Sequence, residues 1–373
     1  MITSFDDYCI HQTAMPIAEP SQSDRNFYDR YWFNGFDADG SYLFEIGFGL
    51  YPNRRVMDGH FSVAMGDRQV AFHSSRRAPK DRRDTVIGPL SVSVIEPMRK
   101  LRVQLLANEQ GIECDLVFTA ASIPHQEPAN VLYDDGHLIM HNTRFTQLGY
   151  WDGFFSIDGQ RHEVRRAYAT RDKSWGVRPV GEPQGGAPGL MNSEPGVYWL
   201  WNPINWGDYC TQMGTFEDRD GRATQCSADL LPLYDSLDAI PIGEDPGLIR
   251  MSDIKHQLEF VPGTRFAKRA VMQFSDADGG NYPIEMEPLQ RFQMLGIGYN
   301  HQEWGHGFWK GELLCEREEW DLSTINPLDY PFIHNHQVVR ARMGDKVGMG
   351  TLETIIIGRH TPSGFKDFFD GAE

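Results

Sequence analysis

Several familiar devices are missing from this sequence. There is no G-x-x-x-x-G-K-[ST] loop and no G-x-S-x-G elbow. No G-x-G-x-x-G sits between a strand and a helix. Phosphate cradling, nucleophile-elbow hydrolysis and dinucleotide binding of the Rossmann type are thereby excluded as expectations. The five cysteines, Cys9, Cys114, Cys210, Cys226 and Cys315, are odd in number and widely spaced, with no C-x-x-C pair. That argues against a disulfide framework or a zinc knuckle and predicts free thiols in a reducing compartment. No apolar run approaches the ~18 residues that a spanning helix needs. The first residues, Met1 to Asp7, show no basic region leading into an apolar stretch, so no secretory signal is expected and the cytoplasm is the predicted location. Basic residues are also short: 35 Lys and Arg stand against 52 Asp and Glu, a net charge of −17. Nucleic acid and anionic membranes would repel such a chain.

Aromatic residues, by contrast, are abundant at 12%, with nine Trp and 22 Phe beside 37 Gly and 22 Pro. Aromatics interrupted by turn residues favour strands and hairpins. Period-two alternation recurs in Tyr42–Tyr51, His60–Met65, Gln69–His73, Leu90–Ile95, Leu101–Leu106 and Cys114–Thr119. Tyr150–Ile157, the dipeptide Asp158-Gly159 and Arg161–Arg165 form a hairpin signature. After a Gly/Pro-rich break over Val180–Gly189 a second series begins, with Val197–Trp201 ending at Asn202-Pro203, then Tyr209–Met213, Ala270–Phe274, Gly298–Leu314, Gln337–Met343 and Met349–Ile357. Asp229–Leu237 is the best helix candidate. The halves echo one another: Ile95–Val103 resembles Met286–Met294 around a shared Glu-Pro, and Leu50–Asn53 resembles Trp201–Ile204. A length of 373 residues suits two domains. We therefore expect an N-terminal arm over residues 1–25, a first β domain over 26–180 and a second over 181–373.

Four segments could carry chemistry. In Arg171–Arg178, Asp172 is either an acid or base lining a cavity or half of a buried ion pair with Arg171 or Arg178 that joins the halves. In His301–Trp309, Glu303 and His306 could exchange protons between Trp304 and Trp309, or the stretch is a glycine-bent strand. His334 and His336 point the same way in a strand, a common metal-ligand spacing that His301, His306 or Glu303 could complete. Tyr198, Trp201 and Trp206 are pocket wall or core.

Three of these motifs together, Tyr150-Trp-Asp-Gly153, Arg171-Asp-Lys-Ser-Trp-Gly176 and Glu303-Trp-Gly-His306, resemble the tandem lipocalin-like family of carotenoid 1,2-hydratase and AttH-type proteins. Lipocalin-like Diels–Alderases and tocopherol cyclase are more distantly similar. The resemblance implies an all-β chain of two tandem calycin-type antiparallel barrels or open sandwiches with few short helices. It also implies cofactor-independent acid–base chemistry, as in a hydratase, dehydratase or isomerase, on an apolar terpenoid, steroid-like or aromatic molecule. On that reading Asp172 or Glu303 donates the proton, with His306 as partner. Trp151, Trp175, Arg178, Tyr198, Trp201, Trp304 and Trp309 bind the substrate. A non-catalytic carrier and a metal enzyme using His334 and His336 are the alternatives, and a homodimer is carried as a partner expectation.

Overall fold

The computed structural model describes residues 1–134, 136–180 and 196–373. Most of the Val180–Gly189 break, and with it the expected boundary after residue 180, lies outside the described residues. Strands make up 57% of the chain, arranged as two nearly closed, antiparallel, barrel-like sheets in tandem. Among the described residues there is no α-helix, only short 3-10 turns such as Ser4–Asp7 and Met294–Ile297. No described helix is long and apolar enough to cross a membrane.

The first sheet runs from its edge strand Leu313–Asp321 through Arg68–Arg77, Val56–Met65, Leu43–Tyr51 and Phe27–Phe36. It continues through Gln160–Val177, His137–Ile157, Ile112–Ala120, Lys100–Leu105 and Leu90–Glu96 to Val86–Ile87. The second is built from Ile249–Arg250, Ala223–Pro232, Tyr209–Glu217, Val197–Asn205, Lys346–Ile357, His334–Met343, Asn281–Gln293, Ala267–Ser275 and Ser252–Phe260, in that order. One strand thus crosses over: Leu313–Asp321 comes from the far end of the chain and pairs antiparallel with Arg68–Arg77.

Burial along the strands shows where the two sheets meet. Ile112–Ala120 alternates buried and half-buried residues, as a strand with one covered face should. Leu43–Tyr51, Val56–Met65 and Val197–Asn205 are instead buried almost throughout. Their second face is covered by the other sheet and, for Val56–Met65, also by the turn Met294–Ile297 and the residues after it up to Gly307. In Phe27–Phe36, Phe33 enters the first core while Trp32 and Phe36 pack with Trp199, Trp201, Val338 and Met349 of the second sheet. Arg30 and Asn34 share the Trp32 face, so the packed junction also contains charge.

The Asp158-Gly159 hairpin forms as expected, with both residues at positive φ, 53° and 80°. Other expectations fail for local reasons. Asp229–Leu237 is not a helix: Asp229 belongs to Ala223–Pro232 and lies opposite Gln212, and Pro232 could not sit inside a helix. Asn202-Pro203 does not end its strand. The ladder to Lys346–Ile357 skips both residues, so the missing proline N–H is tolerated there. Of Gly298–Leu314 only Leu313 and Leu314 are strand, the start of Leu313–Asp321; residues 298–312 are a loop leaving the turn Met294–Ile297. Gly298 has φ 91°, and a Cβ there would lie 2.8 Å from both the His306 ring and the Trp304 carbonyl, so the loop folds back tightly on glycine. The echoed Glu-Pro pairs are not equivalent either. Glu96-Pro97 leads a turn with Met98 at φ 62°, whereas Glu287-Pro288 lies within Asn281–Gln293.

Candidate active site

The buried charges converge at the sheet junction. Asp172, on Gln160–Val177, projects from the face opposite Arg171, whose guanidinium points into the first domain and bonds Gln147 Oε1. Neither Arg171 nor Arg178 pairs with Asp172. Its neighbour is Arg144, with Nη1 4.0 Å from Oδ2, and among the described residues nothing donates a hydrogen bond to its carboxyl. Burial is the main cause that pushes this carboxyl up to about 7; Arg144 and Arg30 pull against the rise, while Glu127 and Glu353 add to it. Arg144 itself is held by Glu127, which also accepts from Thr146 Oγ1 at 2.5 Å and from Gln212 Nε2 of the second sheet at 2.7 Å. The Arg144 guanidinium lies over the rings of Trp199 and Trp201, at 5.3 and 5.1 Å. Trp201 is buried, and its Nε1 has no acceptor among the described residues.

His306 sits on the same side between two arginines. Its Nε2 is 2.8 Å from the Ile297 carbonyl, which fixes the ring proton on Nε2 and leaves Nδ1 to accept from Arg178 Nη2 at 3.0 Å. Arg30 donates to the same carbonyl at 3.2 Å and to Tyr299 Oη at 3.3 Å. Burial first, then the two guanidiniums, hold His306 well below the ordinary histidine value, so the ring is neutral. It has no carboxylate beside it and orients the arginines.

A third group completes the cluster. Trp32 Nε1 donates to Glu45 Oε2 at 2.9 Å, Glu45 Oε1 is 2.7 Å from His336 Nδ1, and Glu353 Oε1 is 3.3 Å from His336 Nε2 and 2.7 Å from His334 Nε2. Burial disfavours the charge on His336, but the two carboxylates outweigh it and raise the ring to about 10. The companion of His334 and His336 is therefore Glu353, not His301, His306 or Glu303.

The remaining expected residues are scattered. Glu303 is three-quarters exposed and paired with Lys310 at 3.2 Å. His301 bonds Glu318 Oε2 at 2.6 Å. Trp304 stacks on His73 and donates to Glu316. Trp175 and Trp309 are 40% and 48% exposed. Trp151 is packed against Phe33, Phe44 and Phe118 in the first core, and Tyr198 stacks on His360 in the second. Of the expected set, Asp172, His306, Arg178 and Trp201 line the junction, together with His334 and His336. Sequence reasoning missed Arg30, Glu45, Glu127, Arg144, Tyr299 and Glu353. For Glu45 and Glu353 a signal existed: Glu45 is the lone charge of an otherwise apolar strand, and Glu353 is the one charge in the buried part of a strand whose other charge, Lys346, stands at its exposed start.

Two tandem antiparallel sheets packed around a charged junction define the class. The chain belongs to the family of unknown function DUF8625, which matches residues 2–366. No curated protein sequence matches it. Among solved structures, a protein described as AttH from Nitrosomonas europaea is similar, with TM-score 0.53 and 11% identity over 88% of this chain and 92% of that one. CghA has TM-score 0.50 and 11% identity, covering 89% and 88%. Kievitone hydratase from Nectria haematococca has TM-score 0.49 and 9% identity, covering 88% of each. At such identities the likeness is one of fold.

Proposed function

We propose that this chain is an acid–base enzyme of the hydratase, dehydratase or isomerase type, acting on an apolar small molecule at the sheet junction with Asp172 as proton donor. The observation that carries the reading is the Asp172 carboxyl: buried, without a hydrogen bond from any described residue, and held up to about 7 beside arginines. Such a group is half protonated at neutral pH and can both give and retake a proton. Trp32, Trp199 and Trp201 supply apolar surface.

The arginines narrow the substrate. A developing carbocation beside Arg30 and Arg144 would be opposed, whereas an enolate or alkoxide oxygen would be stabilised. A substrate carrying a carbonyl or phenolic oxygen on an apolar frame suits the junction better than a bare hydrocarbon. Glu303 has no place in this mechanism, and His306 serves as a positioning residue for Arg30 and Arg178.

The test starts from the purified protein. Native mass spectrometry and solvent extraction identify any bound compound, which is then incubated with the protein in D2O. The wild type should introduce deuterium and Asp172→Asn should not. Equal incorporation by both would refute the assignment.

A further inference from the structure

We propose that His334, His336 and Glu353 form a divalent-metal site of the zinc or cobalt(II) class, with Glu45 holding His336 from behind. The inference stands beside the acid–base reading and does not rest on it, since Asp172 is not a ligand.

The geometry is set by the backbone. His334 and His336 are two residues apart on one strand and face the same way, and His336 lies directly opposite Glu353 on the next strand. Rigid strand positions bring one ring nitrogen of each histidine and a Glu353 oxygen within 4.8 Å of one another. The 3.3 Å between Glu353 Oε1 and His336 Nε2 matches two donors sharing one tetrahedral ion at ligand distances of about 2.0–2.2 Å, while the 2.7 Å to His334 Nε2 is a hydrogen bond that an entering ion would replace. His336 Nε2 is buried and has no aligned hydrogen-bond partner among the described residues, so a buried ring nitrogen stands unpartnered beside Glu353.

The surroundings are those of a ligand set. Glu45 lies 2.7 Å from His336 Nδ1, on the side away from Glu353, and is itself fixed by Trp32 Nε1. A carboxylate behind an imidazole fixes its tautomer and makes its other nitrogen a better donor. A divalent cation bound by neutral rings would take the place of the proton on His336 and balance the two buried carboxylates in full. Two nitrogens and one oxygen favour zinc or its transition-metal neighbours over magnesium or calcium, and three protein ligands leave one position open.

A comparison within the molecule sharpens the assignment. His73, His301 and Glu318 also bring donor atoms within 4.8 Å. There, however, His301 Nδ1 accepts the backbone N–H groups of Glu303 and Trp304, which puts the ring proton on Nε2, the atom facing Glu318. That nitrogen has no lone pair to give. The second cluster is a hydrogen-bonded support for the loop after Gly298, and it serves as the internal control.

The experiment uses the full chain, stripped with chelator and titrated with Zn2+ by calorimetry and with Co2+ by visible absorption. The expected result is one equivalent bound, with a d–d spectrum of a low-coordinate nitrogen–oxygen site. Glu353→Gln and His334→Ala should each weaken binding at least 100-fold. Glu45→Gln should weaken it about 10- to 100-fold. His301→Ala and Asp172→Asn should leave it within threefold. The Co2+ spectrum of the wild type needs no variant to fold. Absence of stoichiometric binding, a six-coordinate aquo-like spectrum, or loss of binding in His301→Ala with retention in Glu353→Gln would each overturn the proposal.

Discussion

Replacing Asp172 by Asn should make the protein more stable, and increasingly so as pH rises. The carboxyl has its ordinary value of 3.8 in the unfolded chain and about 7 in the folded one. Between those limits the folded state binds more protons than the unfolded state, so the wild type loses stability as pH rises from about 4 to about 7. At about 1.4 kcal/mol per unit, a rise from 3.8 to about 7 is worth at most about 4 kcal/mol at pH 8. Asn is uncharged at every pH and escapes this cost. The assay is urea unfolding of wild type and variant at pH 4.5, 6, 7 and 8. The difference between the two curves removes the contribution of every other titrating group. From pH 4.5, where the folded carboxyl is neutral but the unfolded one already mostly ionised, to pH 8 the difference should move in the variant's favour by about 3 kcal/mol. A difference that is flat, or that turns against the variant at high pH, would show that Asp172 is an ordinary ion-pair partner of Arg144. The acid role would then fall as well. No substrate is needed, which makes this the most direct check of the site.

Other residues give independent checks. Glu127→Ala leaves Arg144 at the junction without its main partner and should cost about 3–5 kcal/mol in urea unfolding. Gly298→Ala forces a left-handed φ of 91° on a residue whose Cβ meets His306 and Trp304, so thermal unfolding should show a loss of about 1–3 kcal/mol. Arg317→Ala, in the solvent-facing network with Asp158 and Glu319, should change stability by less than about 1 kcal/mol. A larger loss there would mean that this network helps to close the first barrel.

The strands were largely legible because each has at least one covered face, and alternation records that face directly. Lys100–Leu105 and Ile112–Ala120 are of this kind. The loop after Gly298 was not, because its aromatics mimic a strand while its shape is dictated by positive φ at Gly298 and Gly307 and by Asn300. Asp229 misled for another reason: its carboxylate meets His125 of the first half at 2.9 Å, a contact that no local pattern announces. The site was half legible. Asp172, His306 and the His334–His336 pair stand in dense polar–aromatic segments that draw notice. Arg30 and Arg144 do not, because a charge on a strand reads as outward-facing until a second sheet covers that face, and Glu127 lies in the loop after His125–Gln126, where a charge is ordinary. Their partners lie in sequence-distant places, Gln212 for Glu127 and Ile297 for Arg30.

The crossing strand Leu313–Asp321 has a bearing on how the molecule is made. The last of the first sheet's other strands ends at Val177, so the 144 residues from there to Asp321 must emerge before the edge at Arg68–Arg77 receives its partner. At about 5–20 residues per second, the nascent first sheet spends roughly 7–29 s with ten residues of unpaired backbone on offer. During that interval a chaperone or a neighbouring ribosome's product would find at Arg68–Arg77 an edge that the finished protein has covered.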